Sequence, residues 1–85
     1  MHFIYTKQFT KDRRKLSKQL QVKVLERLDL LLKDSSHPLL NNHDLNPPWE
    51  GYKSINITGD IRLIHRQEGL FYRLARVGSH SELYS

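Results

Sequence analysis

The chain has no cysteine, one tryptophan, one methionine and three prolines among 85 residues. Without cysteine there is no disulfide scaffold and no thiolate zinc site, and the composition fits a reducing cytoplasm, the expected location. No apolar run is long enough to span a bilayer, and no N-terminal stretch has the apolar core of a signal peptide, so no membrane attachment is expected. Histidines and carboxylates show neither His-x3-His nor His-Glu-x2-His spacing, so neither a metal centre nor a cofactor is expected. Carboxylates are scarce beside cations, nine against fourteen, which leaves a net charge of +5. A small basic domain suits an anionic partner, nucleic acid first. A chain this short buries only roughly 60–65% of its unfolded surface, so residues 1–85 read as one domain with a single layer of packing.

The clearest element lies within residues 1–37, the longest segment free of glycine and proline. KQLQVKVLERLDLLLKD sets Leu20, Val24, Leu28 and Leu31 on one helical stripe, which Leu25 and Leu32 widen, and the helix should end near Lys33 or Asp34. Ser17 is placed to cap it. Before it, HFIY at residues 2–5 reads as a short strand and residues 7–15 as a polar helix, capped by Thr6 and anchored inward by Phe9. Residues 35–50 hold all three prolines and read as a loop, pinned by Leu39, Leu40, Leu45 and Trp49. Three strands follow, GYKSINI, DIRLIHR and LFYRLARV, joined by turns at Thr58-Gly59 and Gln67-Glu68-Gly69. Short connections imply antiparallel hairpins. The expected class is α+β, in the order β-α-α-β-β-β, with an antiparallel sheet and both helices on one face. Ile55, Ile57 and Leu63 should meet the helical stripe.

Five stretches, taken in order, resemble the RelE/ParE superfamily of bacterial toxins from type II toxin–antitoxin pairs. They are YTKQFTKD, the loop HDL, WEGYKSINI, GDIRLIH and the closing RVGSHSELY. The close, a strand followed by Gly-x-His and Leu-Tyr, is most similar to the YafQ-like branch of mRNA interferases. That resemblance implies a metal-independent endoribonuclease that cuts mRNA in the ribosomal A site, with a cognate antitoxin protein as second partner. In that chemistry the ribose 2′-OH attacks the adjacent phosphorus and the 5′-oxygen leaves. A base, an acid and stabilising cations are needed. Histidine suits the proton transfers, having a reference pKa of about 6.5, and arginine's fork of donors matches phosphate oxygens.

Carried over residue by residue, the resemblance makes His80 the expected general acid and His43 the loop histidine. Asp60 is expected to orient a histidine or act as base, and Arg62 to hold the scissile phosphate. Alternation puts Arg62 on the opposite face from Ile61 and Leu63. Tyr84 matches a C-terminal aromatic on which a base stacks. Lys53, Asn56 and Arg76 complete the expected substrate-binding set. Arg73 and Arg76 alternate to opposite faces of the last strand.

The chain departs from the branch in having Asn56 where a second strand histidine stands, and Ile61 where an aromatic follows the aspartate. Asparagine cannot shuttle a proton at neutral pH. His65 alternates with Ile61 and Leu63 and reads as a core or edge residue. His2 and His37 read as structural, Trp49 and Phe71 as packing, and Tyr52 and Tyr72 stay open between packing and stacking. Two other readings share the fold: a ParE-like inhibitor of DNA gyrase, and an inactive relative that only binds its antitoxin. The histidine pair is what a gyrase poison has no need of.

Overall fold

The computed structural model describes residues 2–84. A short strand β1 (His2–Tyr5) leads into α1 (Lys7–Arg14) and α2 (Lys18–Lys33). A 3-10 turn (Pro38–Leu40) and a two-residue strand β2 (His43–Asp44) follow, then β3 (Lys53–Asn56), β4 (Ile61–Glu68), β5 (Phe71–Ser79) and a closing helix α3 (His80–Tyr84). Both anticipated caps form. Thr6 Oγ1 accepts the Phe9 N–H at 3.1 Å, and Ser17 Oγ accepts the Leu20 N–H at 3.2 Å.

The strands make one sheet in the order β1-β5-β4-β3-β2. It is mixed rather than wholly antiparallel, because β1 pairs parallel with β5, Phe3 opposite Tyr72 and Tyr5 opposite Leu74. The strand β4, antiparallel to both β3 and β5, returns the chain to the end where β1 starts, and the long connection through α1 and α2 is of the kind a parallel pair requires. The other three pairings are antiparallel, and Ile55, Leu63 and Val77 stand in one row across β3, β4 and β5. With Phe9, Val24, Leu28, Leu31, Ile57 and Leu74 they form the fully buried core under α1 and α2. At roughly 25 cal/mol per Å2 of apolar surface removed from water, this layer holds the fold.

Where β1 stops, α1 takes over the edge of β5. The Thr6 hydroxyl donates to the Leu74 carbonyl at 2.8 Å, and Asp12 Oδ2 accepts the Val77 N–H at 3.1 Å. Asp12 also takes two hydrogen bonds from the Arg76 guanidinium, at 2.8 and 3.2 Å. Burial works against its charge, but the bonds from Arg76, Gln8 and Val77 outweigh it and hold the carboxyl below the usual aspartate range.

Several expectations need correction. Leu25 and Leu32 stay 53% and 43% exposed, because a straight helix on a sheet buries a narrower stripe than its hydrophobic pattern offers. Leu39 is 56% and Phe71 45% exposed, so neither packs as expected, whereas Leu40 and Tyr72 are buried. Residues 35–50 are not all loop, since the 3-10 turn and β2 lie inside them. The β4–β5 turn is only Gly69-Leu70, with Gly69 at φ 60° in the left-handed region that glycine enters at little cost, and Gln67 and Glu68 belong to β4. The pairing also slips between Ile64 and His65, a bulge that breaks simple alternation along β5.

Candidate active site

The second face of the sheet is built differently. Along β3 and β4 it presents Ser54, Asn56, Arg62 and Ile64, the residues that alternate with the core row. The chain turns back over this face after β5. Gly78, opposite Arg62, gives close passage: a Cβ there would lie 3.2 Å from Glu82 Oε1 and 3.6 Å from Leu83 Cδ2. Ser79 and Glu82 form a reciprocal capping box. The Ser79 N–H donates to Glu82 Oε1 at 2.8 Å and the Glu82 N–H to Ser79 Oγ at 3.2 Å. These bonds hold the Glu82 carboxyl below its ordinary value. They start α3 at His80, and one helical turn then sets the His80 ring 4.7 Å from the Tyr84 ring. Buried Leu83 holds α3 to the sheet, and its carbonyl accepts the Trp49 indole N–H at 3.4 Å. Sequence reasoning missed α3, although Ser-x-x-Glu at 79–82 is its N-terminal signature.

Loop 45–49, β2, β3, β4 and α3 together enclose a cavity of about 330 Å3. His43, Arg62, His80 and Tyr84 all line it, with Ser54, Trp49 and Leu83. Among the described residues no carboxylate does, so its ionisable side chains there are two imidazoles, a phenol and a guanidinium. The imidazole and guanidinium contacts define roles. His43 Nδ1 stands 2.7 Å from the Asn41 carbonyl, which can only accept, so the neutral ring carries its proton on Nδ1 and keeps a lone pair on Nε2. Arg62 Nη1 donates to the carbonyls of Thr58 and Gly59 at 3.0 and 2.7 Å. That fixes the guanidinium and leaves the Nε–Nη2 edge, a two-donor fork, with no protein partner among the described residues.

The other expected residues are placed apart from this cavity. Asp60 contributes its backbone carbonyl, which accepts the His80 N–H at 3.2 Å, while its exposed side chain does not line the pocket. Arg76 is engaged by Asp12, and Lys53 Nζ pairs with Asp44 Oδ1 at 3.1 Å. Neither lines the cavity. Lys53 faces away because it shares a register row with His65, not with Ser54. Asn56 lies on the pocket face opposite Arg62, its Oδ1 buried without a hydrogen-bond partner among the described residues, yet it does not reach the wall. Ser54 was overlooked. It is 1% exposed, lines the cavity, and its Oγ has no protein partner among the described residues. Buried unpaired polar atoms are costly, and one aimed into a cavity marks a binding surface.

His65 is a core residue, as its alternation implied. Its Nε2 donates to Asn42 Oδ1 at 3.2 Å and its ring meets Tyr72 edge-on. Burial, with a smaller push from Lys53, lowers its pKa to about 4.

A mixed five-stranded sheet with two helices on one face is the fold of the RelE/ParE class of toxins. Within it, the chain belongs to the YafQ family, bacterial toxins of type II toxin–antitoxin systems, whose family model matches residues 1–85. Its structure is similar to that of YafQ from E. coli strain BL21(DE3), with TM-score 0.83 and 24% identity over 98% of this chain and 97% of that one. It is also similar to the toxin in the E. coli DinJ-YafQ toxin-antitoxin complex, with TM-score 0.76 and 26% identity over 98% and 96% of the two chains. A YoeB/ParE toxin from Agrobacterium tumefaciens shares the fold, with TM-score 0.79 and 18% identity over 94% and 99%. No curated protein matches the chain in sequence.

Proposed function

We propose that this toxin is an mRNA endonuclease that works without a metal ion, and that the pocket of His43, Arg62 and His80 is its active site. The observation that carries this reading is the convergence of those three side chains, from β2, β4 and α3, in a cavity that no carboxylate lines among the described residues. Each has a distinct task. The lone pair on His43 Nε2 takes the proton of the ribose 2′-OH. The 2′-oxygen bonds to phosphorus, the bond from phosphorus to the 5′-oxygen breaks, and His80 gives that oxygen its proton. The Nε–Nη2 edge of Arg62 receives the non-bridging oxygens, whose charge grows as phosphorus becomes five-coordinate. The products are a 2′,3′-cyclic phosphate and a free 5′-hydroxyl, and the protons balance between the two imidazoles. Tyr84, stacked on His80, offers its face to a neighbouring base. Asp60 acts through its carbonyl, which anchors the first residue of α3, in place of the side-chain role, orienting a histidine or acting as base, expected of it. Arg76 and Lys53 serve the fold by their ion pairs.

The toxin acts in the cytoplasm, and its substrate is mRNA held in the ribosomal A site. A cognate antitoxin neutralises it, as DinJ pairs with YafQ in the E. coli complex. The test is primer extension on a defined mRNA, with and without ribosomes, beside a gyrase supercoiling assay. Discrete cuts ending in a cyclic or 3′-phosphate support the reading. Intact RNA together with inhibited supercoiling would transfer the chain to the gyrase-poison class, and inactivity in both assays to the antitoxin-binding one.

A further inference from the structure

The loop that brings His43 to the cavity has a weak hold on the sheet. Strand β2 is two residues long, and both are exposed. At the sheet's edge it pairs with β3, His43 opposite Ser54 and Asp44 opposite Lys53. Asn41, two residues before His43, sits at φ 45°, in the left-handed region that a residue with a side chain enters at a cost. A conformation of this kind persists only where its surroundings fix it.

The side chain of Asn42 does the fixing. Its Oδ1 accepts the His65 Nε2–H at 3.2 Å, and its Nδ2 donates to the Ser35 carbonyl at 3.1 Å. The two bonds agree with each other. A carbonyl can only accept, so the amide nitrogen faces Ser35, the amide oxygen faces the imidazole, and the imidazole donates. His65 is itself immobile, 1% exposed and set edge-on to Tyr72, which stacks on Phe3 with ring centroids 6.0 Å apart. Its Nδ1 is buried with no hydrogen-bond partner among the described residues. An apolar side chain would fill the place without that cost, and what the imidazole adds is the donor it gives to Asn42. His65 shares its register row with Lys53, on the opposite face of β4 from Arg62, so Asn42 ties the loop of the cavity to the other side of the sheet.

The effect of this tie falls on His43. Its Nδ1–H bond to the Asn41 carbonyl, at 2.7 Å, spans the peptide units on either side of Asn42. Holding the Asn42 side chain holds both units and keeps that carbonyl aimed at Nδ1. Which ring nitrogen carries the proton is set by the bond the other makes. Released from the carbonyl, an exposed imidazole reverts to protonation at Nε2, the commoner form of free histidine, and loses the Nε2 lone pair.

We infer that Asn42 is a positioning residue, held by buried His65, that presents His43 to the cavity as the Nδ1–H tautomer with its Nε2 lone pair free. Its bearing on catalysis rests on the reading of His43 as the base.

The experiment is heteronuclear NMR of the histidine ring nitrogens in the full chain without RNA, at a pH where the imidazoles are neutral, with single-turnover cleavage measured beside it. The spectra read His43 whether or not the protein cuts RNA, so the two readings can fail separately. His43 of the parent protein should be protonated on Nδ1. Asn42→Leu keeps the volume of the side chain and removes both of its bonds. It should move His43 mainly to the Nε2–H form and leave the ring signals of His80 in place. It should also lower the cleavage rate at saturating RNA about 10- to 100-fold, as a small misplacement of a catalytic group does. Asn42→Ala, at a half-buried position, serves if Asn42→Leu does not fold and should behave alike. His65→Gln, whose amide can still donate to Asn42 Oδ1, should keep the tautomer and the rate of the parent. An unchanged His43 tautomer in the Asn42 variants would overturn the inference, even if cleavage fell. So would loss of the Nδ1–H form in His65→Gln, for packing rather than the hydrogen bond would then hold the loop.

Discussion

The two faces of the β3–β5 sheet are made from alternate residues of the same strands, yet they are opposite in kind. Toward α1 and α2 stand Ile55, Leu63, Leu74 and Val77, apolar and closed. Toward the cavity stand Ser54, Asn56 and Arg62, polar and incompletely paired, under a cover of one loop and a five-residue helix. A strand's period of two lets one sequence carry both. The closed face supplies cohesion, and the open one leaves polar atoms of Ser54 and Asn56 without a hydrogen-bond partner among the described residues. Variants on the two faces should therefore fail in different assays.

On the closed face, Leu63→Ala should lower unfolding free energy by about 2–5 kcal/mol, as deletion of a buried leucine side chain does, while the surviving folded protein keeps its specific activity. Urea denaturation and an activity assay normalised to folded protein check both parts. His65 sharpens the point through pH. Its folded pKa of about 4 lies below the value of an unfolded histidine, so the unfolded chain takes up more protons between those two values. The stability due to neutral His65 is complete above about pH 6.5 and is lost as pH falls toward 4, amounting to roughly 3 kcal/mol. In His65→Leu that part of the acid-side loss should vanish, seen as a flatter plot of melting temperature between pH 7 and 4. On the open face, Ser54→Ala should change stability by less than about 1 kcal/mol and reduce kcat/KM roughly tenfold, the worth of one hydrogen bond to substrate. The smallest effect belongs to neither face. Lys33→Gln breaks an exposed pair with Asp29 and should leave the midpoint of the same denaturation experiment almost unchanged.

The closed face was the more legible in the sequence. Thr6, Ser17 and the stripe Leu20, Val24, Leu28, Leu31 declare their helices locally, and the strand row Ile55, Ile57, Leu63 follows from alternation. What stayed hidden is what depends on distant partners. Nothing in HFIY tells that β1 will pair parallel with β5, and nothing in ARV shows the slip opposite Ile64 and His65. The exposure of Leu25 and Leu32 is likewise set by the size of the sheet below them. Of the residues that the resemblance names, His43, Arg62, His80 and Tyr84 meet in one cavity. Arg76 and Lys53 were misplaced because a sequence shows a cation but not the carboxylate that claims it. Asp60 was given a side-chain task where its backbone makes the contact. Ser54 went unnoticed because a lone serine in a strand carries no signal until its burial is known.

If chemistry resides on the open face, it can be removed without touching the closed one. The measurement that bears on this most directly pairs two readings on His80→Gln: single-turnover cleavage of mRNA and thermal unfolding. Loss of acid catalysis should lower the cleavage rate by about 10²–10⁴-fold, with a melting temperature equal to that of the parent protein. Full cleavage by the variant, at an unchanged melting temperature, would contradict it and make His80 a surface residue beside the cavity.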